Sequence, residues 1–226
     1  MKWVTIIIMP FRIDLHVHSK YSGDNVSEPE ESIFRAIELK LDGIAFTEHY
    51  SYGASEPVER LKEKYRDAIR IFRGVEFSSA EGHCLIFGVD TDILPIMHAP
   101  VDEVIRVVND SGGVVIPSHP YRIGNSLGEI ITQVRGICAV EGYNGCNLHQ
   151  YNSRAIEAAQ TLNLPCTGGS DAHAPGEVGM CHTEFEEEVT EDNLIGVLKR
   201  GRYRGVDNRR RAAGSLFSSL RPFSSY

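Results

Sequence analysis

Long apolar runs are missing from this chain: no stretch approaches the roughly eighteen residues that a membrane-spanning helix needs, which excludes a helical membrane protein. Cysteine is sparse and wrongly spaced for its usual frameworks. The five residues, Cys84, Cys138, Cys146, Cys166 and Cys181, form an odd set with no CxxC pair, which argues against a disulfide scaffold and against a zinc ribbon; they are expected to be buried small hydrophobes. The first residues do not read as a secretory leader. Met1 to Met9 holds Lys2 and the core Ile6-Ile7-Ile8, too short for a signal core and without a small-residue cleavage site, so it reads as a strand and a cytoplasmic protein is expected. The body is short of positive charge. Of the net charge of −8, residues 201–226 contribute +5 (six arginines, one aspartate), leaving −13 for residues 1–200. Such a body excludes a broad nucleic-acid-binding face. It is compatible with a carboxylate-lined pocket neutralised by divalent cations, although most of the acids belong on solvated helix faces.

The 226 residues suit one domain able to bury a core unaided. We place it at residues 1–205, with 206–226 as a mobile basic tail, because Arg209 to Tyr226 is rich in serine and arginine and has no sustained periodicity. Strand-like and helix-like segments alternate. Ser27 and Glu30 with Pro29 predict a capping box opening a helix that buries Ile33, Ile37 and Leu41 and ends at Gly43. Ile44 to Thr47 reads as a strand, Glu56 to Ile69 as a charged amphipathic helix, then Ile71-Phe72, Gly74-Val75-Glu76 and Leu85 to Val89 as strands. Helical spacing recurs at Val101, Val104, Ile105, Val108 and at Leu127, Ile130, Ile131, Val134, ahead of strands at Val114 to Ile116 and Ile137 to Val140. Ala155, Ala159 and Leu162 mark another helix before the strand Cys166 to Gly168, and Thr190 is expected to cap a last one carrying Leu194, Val197 and Leu198. Seven or so such units predict a parallel sheet with right-handed crossovers.

Nine side chains of metal-binding type fall nearly always at predicted strand ends: His16, His18, Asp24, His49, Glu76, His83, His119, Asp171 and His173. In an extended segment residues two apart project to one side, so His16 and His18 can reach one ion. Ligands from at least five strand ends must converge, which a barrel mouth achieves more readily than an open sheet. Lys20 and Arg122 follow these strand ends and are the candidate cations for an anionic group such as phosphate. Glu48 could orient an imidazole or cap a turn. His98, His149 and His182 stand outside the motif order and read as surface or loop histidines.

The ordered set His16-x-His18, Asp24, Glu48-His49, Glu76, His83, His119 and Asp171-x-His173 resembles the PHP family, named for polymerase and histidinol phosphatase domains. Glu141-x-Tyr143-Asn144-Gly145, Asn152, Gly168-Gly169-Ser170-Asp171-Ala172-His173 and Val178-Gly179 resemble its small stand-alone phosphoesterases. The resemblance covers about residues 12–185. It implies an α/β fold, a single-domain distorted (β/α)7 barrel, with two or three divalent metal ions at the C-terminal strand ends. Carried over, His16, His18, Glu76 and Asp171 would hold the first, Glu76, His83 and His119 the second, and Asp24, His49 and His173 a third. Aspartate at 24, where strongly three-metal members often have histidine, puts the third site in question.

The expected activity is hydrolysis of a phosphomonoester or phosphodiester in a small phosphorylated metabolite, a nucleotide or an oligonucleotide end. A carboxylate such as Glu76 can bridge two ions about 3.5–4 Å apart, and water shared between them is acidified towards neutrality. Asp171 could accept its proton and His173 protonate the leaving group. Zinc, manganese and iron suit this donor set, and magnesium is compatible. An amide or lactone hydrolase, or a non-catalytic metal-stabilised binding module, are the alternative readings. The sequence does not address the oligomeric state.

Overall fold

A computed structural model describes residues 9–49, 51–90 and 93–209. The strand expected over Met1 to Met9 and the tail from residue 210 onward fall almost wholly outside them.

Three sheets surround one pole of the molecule. The first has the order β10-β9-β1-β2-β3, with β1 at Phe11–Val17, β2 at Gly43–Phe46, β3 at Arg70–Arg73, β9 at Cys181–Phe185 and β10 at Tyr203–Asp207. The second comprises β4 (Val75–Ser78), β5 (His83–Phe87) and β6 (Val114–Pro117), and the third β7 (Val140–Asn144) and β8 (Cys166–Gly169). Their edges meet through isolated parallel bridges, Val17 with Ala172 and His49 with Glu76, and through the Cys138 N–H on the Val115 carbonyl, 3.2 Å. Strands β1, β2, β4 and β8 therefore run the same way and end at the same pole.

The expected parallel sheet is mixed: among the described residues the ladders part at these seams, so that no closed barrel is seen, and β1–β9, β9–β10, β4–β5 and β5–β6 are antiparallel. Only residues 79–82 separate β4 from β5, too few for the dozen or so that a parallel crossover needs. The protein is a mixed α/β single domain.

The helices differ from expectation where local chemistry intervenes. Helix α1 (Pro29–Glu38) is capped by Glu28 and Glu31, one residue beyond the expected Ser27 and Glu30, with Pro29 in the first turn. It ends before Gly43, which belongs to β2; Lys40 makes the left-handed turn, φ 56°. Pro57, which lacks an N–H, lies in a 3-10 turn at Tyr52–Val58, so α2 spans only Glu59–Tyr65. The periodic segment at Leu127 to Val134 forms a 3-10 turn, Gly128–Thr132, because Gly128 is left-handed at φ 58° and gives its N–H to Pro120. Helices α3 (Val101–Asp110) and α4 (His149–Leu162) follow their periodicity. Helix α5 (Leu194–Arg200) begins after Asn193 rather than at Thr190; the Asn193 Oδ1 accepts the Thr190 N–H at 2.8 Å. Strand β10 carries ordered chain past residue 205, the expected domain end, because all five of its residues pair with β9.

The central apolar cluster draws Ile13, Leu15, Ala45, Phe72, Leu85, Phe87 and Ile116 from strands around the ring and is closed by Leu194, Val197 and Leu198 of α5. Two outer clusters pack α1 and α2 against one side and α3 and α4 against the other. Strands buried on both faces read as continuous apolar runs except where polar residues interrupt them. Those interruptions are the candidate site. No helix among the described residues is long and apolar enough to cross a membrane.

Candidate metal centre

Glu76 is the hub. It lies in β4, wholly buried, and five imidazoles face its carboxylate. On Oε1 stand His119 Nε2 at 2.8 Å, His83 Nδ1 at 3.3 Å and His16 Nε2 at 3.4 Å; on Oε2 stand His49 Nδ1 at 3.2 Å and His18 Nε2 at 3.3 Å. Asp171 Oδ1 is 3.4 Å from His16 Nε2 and 3.3 Å from His18 Nε2. Residues between positions 16 and 171 thus meet because β1, β2, β4, β6 and β8 all end here.

Most of these histidines have their second nitrogen committed. His16 Nδ1 lies 2.8 Å from Glu141 Oε1, His18 Nδ1 2.9 Å from Ser22 Oγ, His83 Nε2 3.1 Å from Ser78 Oγ and His173 Nδ1 2.9 Å from the Asp171 carbonyl. The Ser22 hydroxyl itself donates to Glu48, which also accepts the Ser19 N–H at 2.9 Å. In the tautomers these partners select, the remaining nitrogen of each ring points its lone pair inward, the arrangement metal-ligating histidines adopt. Glu48 therefore acts through Ser22 on His18, one of its two expected roles. Glu141 was named in the sequence motif but given no role. Its Oε2 accepts the His119 N–H at 2.7 Å and the Asn144 amide at 2.9 Å, so one carboxylate positions two site histidines.

The donor set fits divalent cations. Glu76 Oε2, Asp171 Oδ1, His83 Nδ1 and His119 Nδ1 are buried with no hydrogen-bond partner among the described residues, which is costly for polar atoms unless something else satisfies them. Three groups of donor atoms lie within 4.8 Å of one another: His16, His18, Glu76 and Asp171; His49, Glu76 and His83; and His18, His49 and His173. The first matches the expected first set. In the second, His49 replaces His119, whose Nε2 is also 2.7 Å from an Arg122 nitrogen. In the third, Asp24 gives way to His18, though Asp24 Oδ2 remains 3.0 Å from His49 Nε2 and 3.3 Å from His173 Nε2.

The electrostatics favour cations in the same place. Burial alone would lower the pKa of His16, but Glu141, Asp171 and Glu76 raise it well above the ordinary histidine value. His18 behaves alike: burial is outweighed by Asp171 and Glu76, and its pKa rises to about 9. For Glu76 and Asp171, burial opposes ionisation, yet the surrounding imidazoles, His16 foremost, hold both well below the carboxylate range. His49 goes the other way, to about 4, through burial and then the neighbouring His18. Asp14 is pushed up to about 6 by burial, although its oxygens accept the Ser170 and Gly179 N–H groups at 2.8 Å each. Its place two residues before His16 on an alternating strand was the signal that could have found it.

Two site residues hold left-handed backbone, His119 at φ 31° and Asp171 at φ 56°, a strain that packed surroundings must enforce. Of the two expected phosphate-binding cations, Arg122 is at the centre, its Nη1 2.6 Å from Asp171 Oδ2. Lys20 is engaged elsewhere: it pairs with Glu28 at 2.8 Å and lies over the Tyr21 ring. His149 begins α4 with an exposed side chain, and His182 is buried in β9 rather than on the surface. All five cysteines are free, with Cys84 and Cys181 buried as expected, whereas Cys146 is exposed because it lies in the loop after β7, its thiol 3.2 Å from the Asp171 carbonyl.

A family described as PHP-associated matches residues 149–203. The histidinol-phosphatase of Lactococcus lactis is 30% identical over 117 residues, covering 46% of this chain and 42% of that protein. Among solved structures, PsfC from Pseudomonas syringae superposes with a TM-score of 0.69 at 20% identity, over 93% of this chain and 98% of its own. A protein of Bifidobacterium adolescentis assigned as a metal-dependent phosphoesterase does so with a TM-score of 0.60 at 18% identity, over 84% and 96%. These structures share the fold, and the two sequence matches, to the PHP-associated family and to a histidinol-phosphatase, support a place for the chain in the PHP domain family.

Proposed function

We propose that this protein is a metal-dependent phosphoesterase acting on a small phosphorylated molecule or the end of a nucleic acid. The observation that carries the reading is the Glu76 carboxylate, which has imidazole nitrogens within 3.4 Å of both oxygens and so could join two cations. We assign His16, His18, Glu76 and Asp171 to one ion, and Glu76, His49 and His83, with His119 alongside, to a second. Asp24, His49 and His173 are the candidates for a third. Divalent cations bound here would supply Lewis-acid polarisation of phosphate oxygens and acidify water towards neutrality.

The protein's own groups would do the rest. Among the described residues Arg122 is the cation beside these donors whose planar fork matches phosphate oxygens, and its contact with Asp171 holds it at the centre. Asp171, kept ionised by its neighbours, is the candidate proton acceptor. His173 donates through Nδ1 to the Asp171 carbonyl and its Nε2 lies 3.3 Å from Asp24 Oδ2; where His173 does not hold an ion, that nitrogen could carry a proton to the departing alkoxide. The presence of Arg122, in a site otherwise lined by polar groups, favours phosphate over a lactone or amide. The name of the Lactococcus relative, a phosphatase, supports the same reaction class. The three sheets around one pole are read as the family's (β/α)7 barrel distorted until its ladders part.

The test is a screen of manganese-loaded protein with p-nitrophenyl phosphate and bis-p-nitrophenyl phosphate. Turnover abolished by chelation is expected; release from neither, with turnover of esters or lactones instead, would overturn the proposal.

A further inference from the structure

A cleft of about 580 Å³ opens beside the proposed metal centre. It is lined by His49, His83 and Asp24, by the β4–β5 turn, and by the loops that follow β5 and β6. Two residues of those loops stand out. His98 and Asn125 both hold left-handed backbone, at φ 64° and 51°, although neither is glycine. Each is pinned by its main chain to the strands of the site: the His98 N–H donates to the Ser78 carbonyl at 2.9 Å, and the Asn125 carbonyl accepts the His83 N–H at 3.1 Å. Of the six non-glycine residues with positive φ among the described residues, Lys40 and Asn163 sit at helix ends, where that geometry is ordinary. The other four, His98, His119, Asn125 and Asp171, surround the metal centre and its cleft.

The other polar side chains of the turn and loops are internally satisfied. Ser78 pairs with His83, Ser79 with Gly82, Ser126 with the Arg122 carbonyl, and Glu81 with the Val101 N–H. The His98 ring and the Asn125 amide make no such contact among the described residues, so their donors and acceptors are available to a ligand. Among the described residues the lining contains no lysine or arginine, and it does contain Asp24 and Glu81.

We propose that His98 and Asn125 form the leaving-group subsite, and that it selects an uncharged, hydroxyl-bearing group of mononucleotide size or smaller over one carrying a second phosphate. This rests on the phosphoesterase reading. Hydrogen bonds from fixed groups discriminate strongly, because an analogue lacking the matching hydroxyl leaves them unpaired. A second phosphate would meet two carboxylates with no cationic fork to receive it.

The experiment compares kcat/KM of the manganese-loaded full chain on p-nitrophenyl phosphate, a sugar monophosphate, a nucleoside 5′-monophosphate and a nucleoside 3′,5′-bisphosphate. It does so for the native protein, His98→Gly and Asn125→Gly. Glycine removes each side chain while tolerating positive φ, so folding is retained. Native protein should prefer the better of the two hydroxyl-bearing monoesters over the bisphosphate by about tenfold or more. Each variant should lower the ratio of monoester to p-nitrophenyl phosphate turnover at least fivefold, chiefly through KM. An unchanged ratio in both variants, or a native preference for the bisphosphate, overturns the subsite while leaving the phosphoesterase reading standing. Phosphate release from none of the four overturns the subsite and, where bis-p-nitrophenyl phosphate is also left intact, the phosphoesterase reading with it.

Discussion

Glu141 Oε1 lies 2.8 Å from His16 Nδ1, across 125 residues of sequence, with both groups buried. That contact sets which nitrogen of His16 faces Glu76 and Asp171. Glu141→Gln must turn an amide NH2 towards either His16 or the His119 main chain. Partners of this kind typically contribute 10–100-fold to metal affinity. A drop in affinity of about that size, with the fold intact by circular dichroism, is expected in a metal titration of the variant; unchanged affinity would deny the contact its orienting role.

Glu76→Ala removes the oxygen atoms shared by the proposed metal groups. Phosphatase activity should fall below detection and bound metal should drop by at least one ion per chain, measured by elemental analysis of protein loaded to saturation. Full metal content would show that no ion depends on Glu76.

The raised pKa of His18 makes the metal-free protein sensitive to pH. With a folded value of about 9 against an ordinary 6.5, the protonated ring stabilises the fold fully below about pH 6.5, and this contribution is lost as pH rises through 9. After chelation, the melting temperature should therefore fall between pH 6.5 and 9. Loading with metal should weaken that dependence, because the cation replaces the proton. A chelated protein equally stable at both ends of the window would contradict the assignment.

Arg122 and Lys20 should separate cleanly. Arg122→Ala is expected to cut kcat/KM on p-nitrophenyl phosphate by 2–3 kcal/mol, about 30–150-fold, as loss of a charge-assisted hydrogen bond would. Lys20→Ala, whose partner Glu28 lies at the start of α1, should stay within twofold. Equal losses in both would return Lys20 to the site.

Gly169 allows β8 to approach β1. A Cβ there would overlap the His16 Cβ and come within 3.0 Å of Glu141 Oε1. Gly169→Ala should therefore destabilise the protein by about 1–3 kcal/mol and also weaken metal binding, since it displaces His16. Denaturant melts and metal titration together check this; a loss of neither would mean that the strands part without cost.

Much of the site was legible because its residues are of unusual type at strand ends, and alternation alone puts His16 and His18 on one side. Less legible were the groups that act through others. Ser22 and Asn144 look like ordinary turn and strand-end residues until Glu48 and Asp171 are placed beside them. His98 and Asn125 gave no signal, since left-handed backbone at a non-glycine residue is imposed by packing. Strand β9, Cys-His-Thr-Glu-Phe, lacks the β-branched run that marks a strand, and β10 exists only because β9 offers it an edge.

What the sequence determined by itself is the inventory: a single α/β domain's worth of apolar periodicity, with histidines and carboxylates interrupting it at strand ends. Periodicity and residue type are local, and the chain carries them wherever it folds. Only the tertiary structure decided that the sheet parts into three and turns antiparallel after a four-residue link, that His49 rather than His119 completes a donor group with Glu76 and His83, and that Arg122 reaches the centre while Lys20 does not. Those outcomes depend on which strand edges meet and on a few ångströms of side-chain reach, which residue type and spacing do not encode.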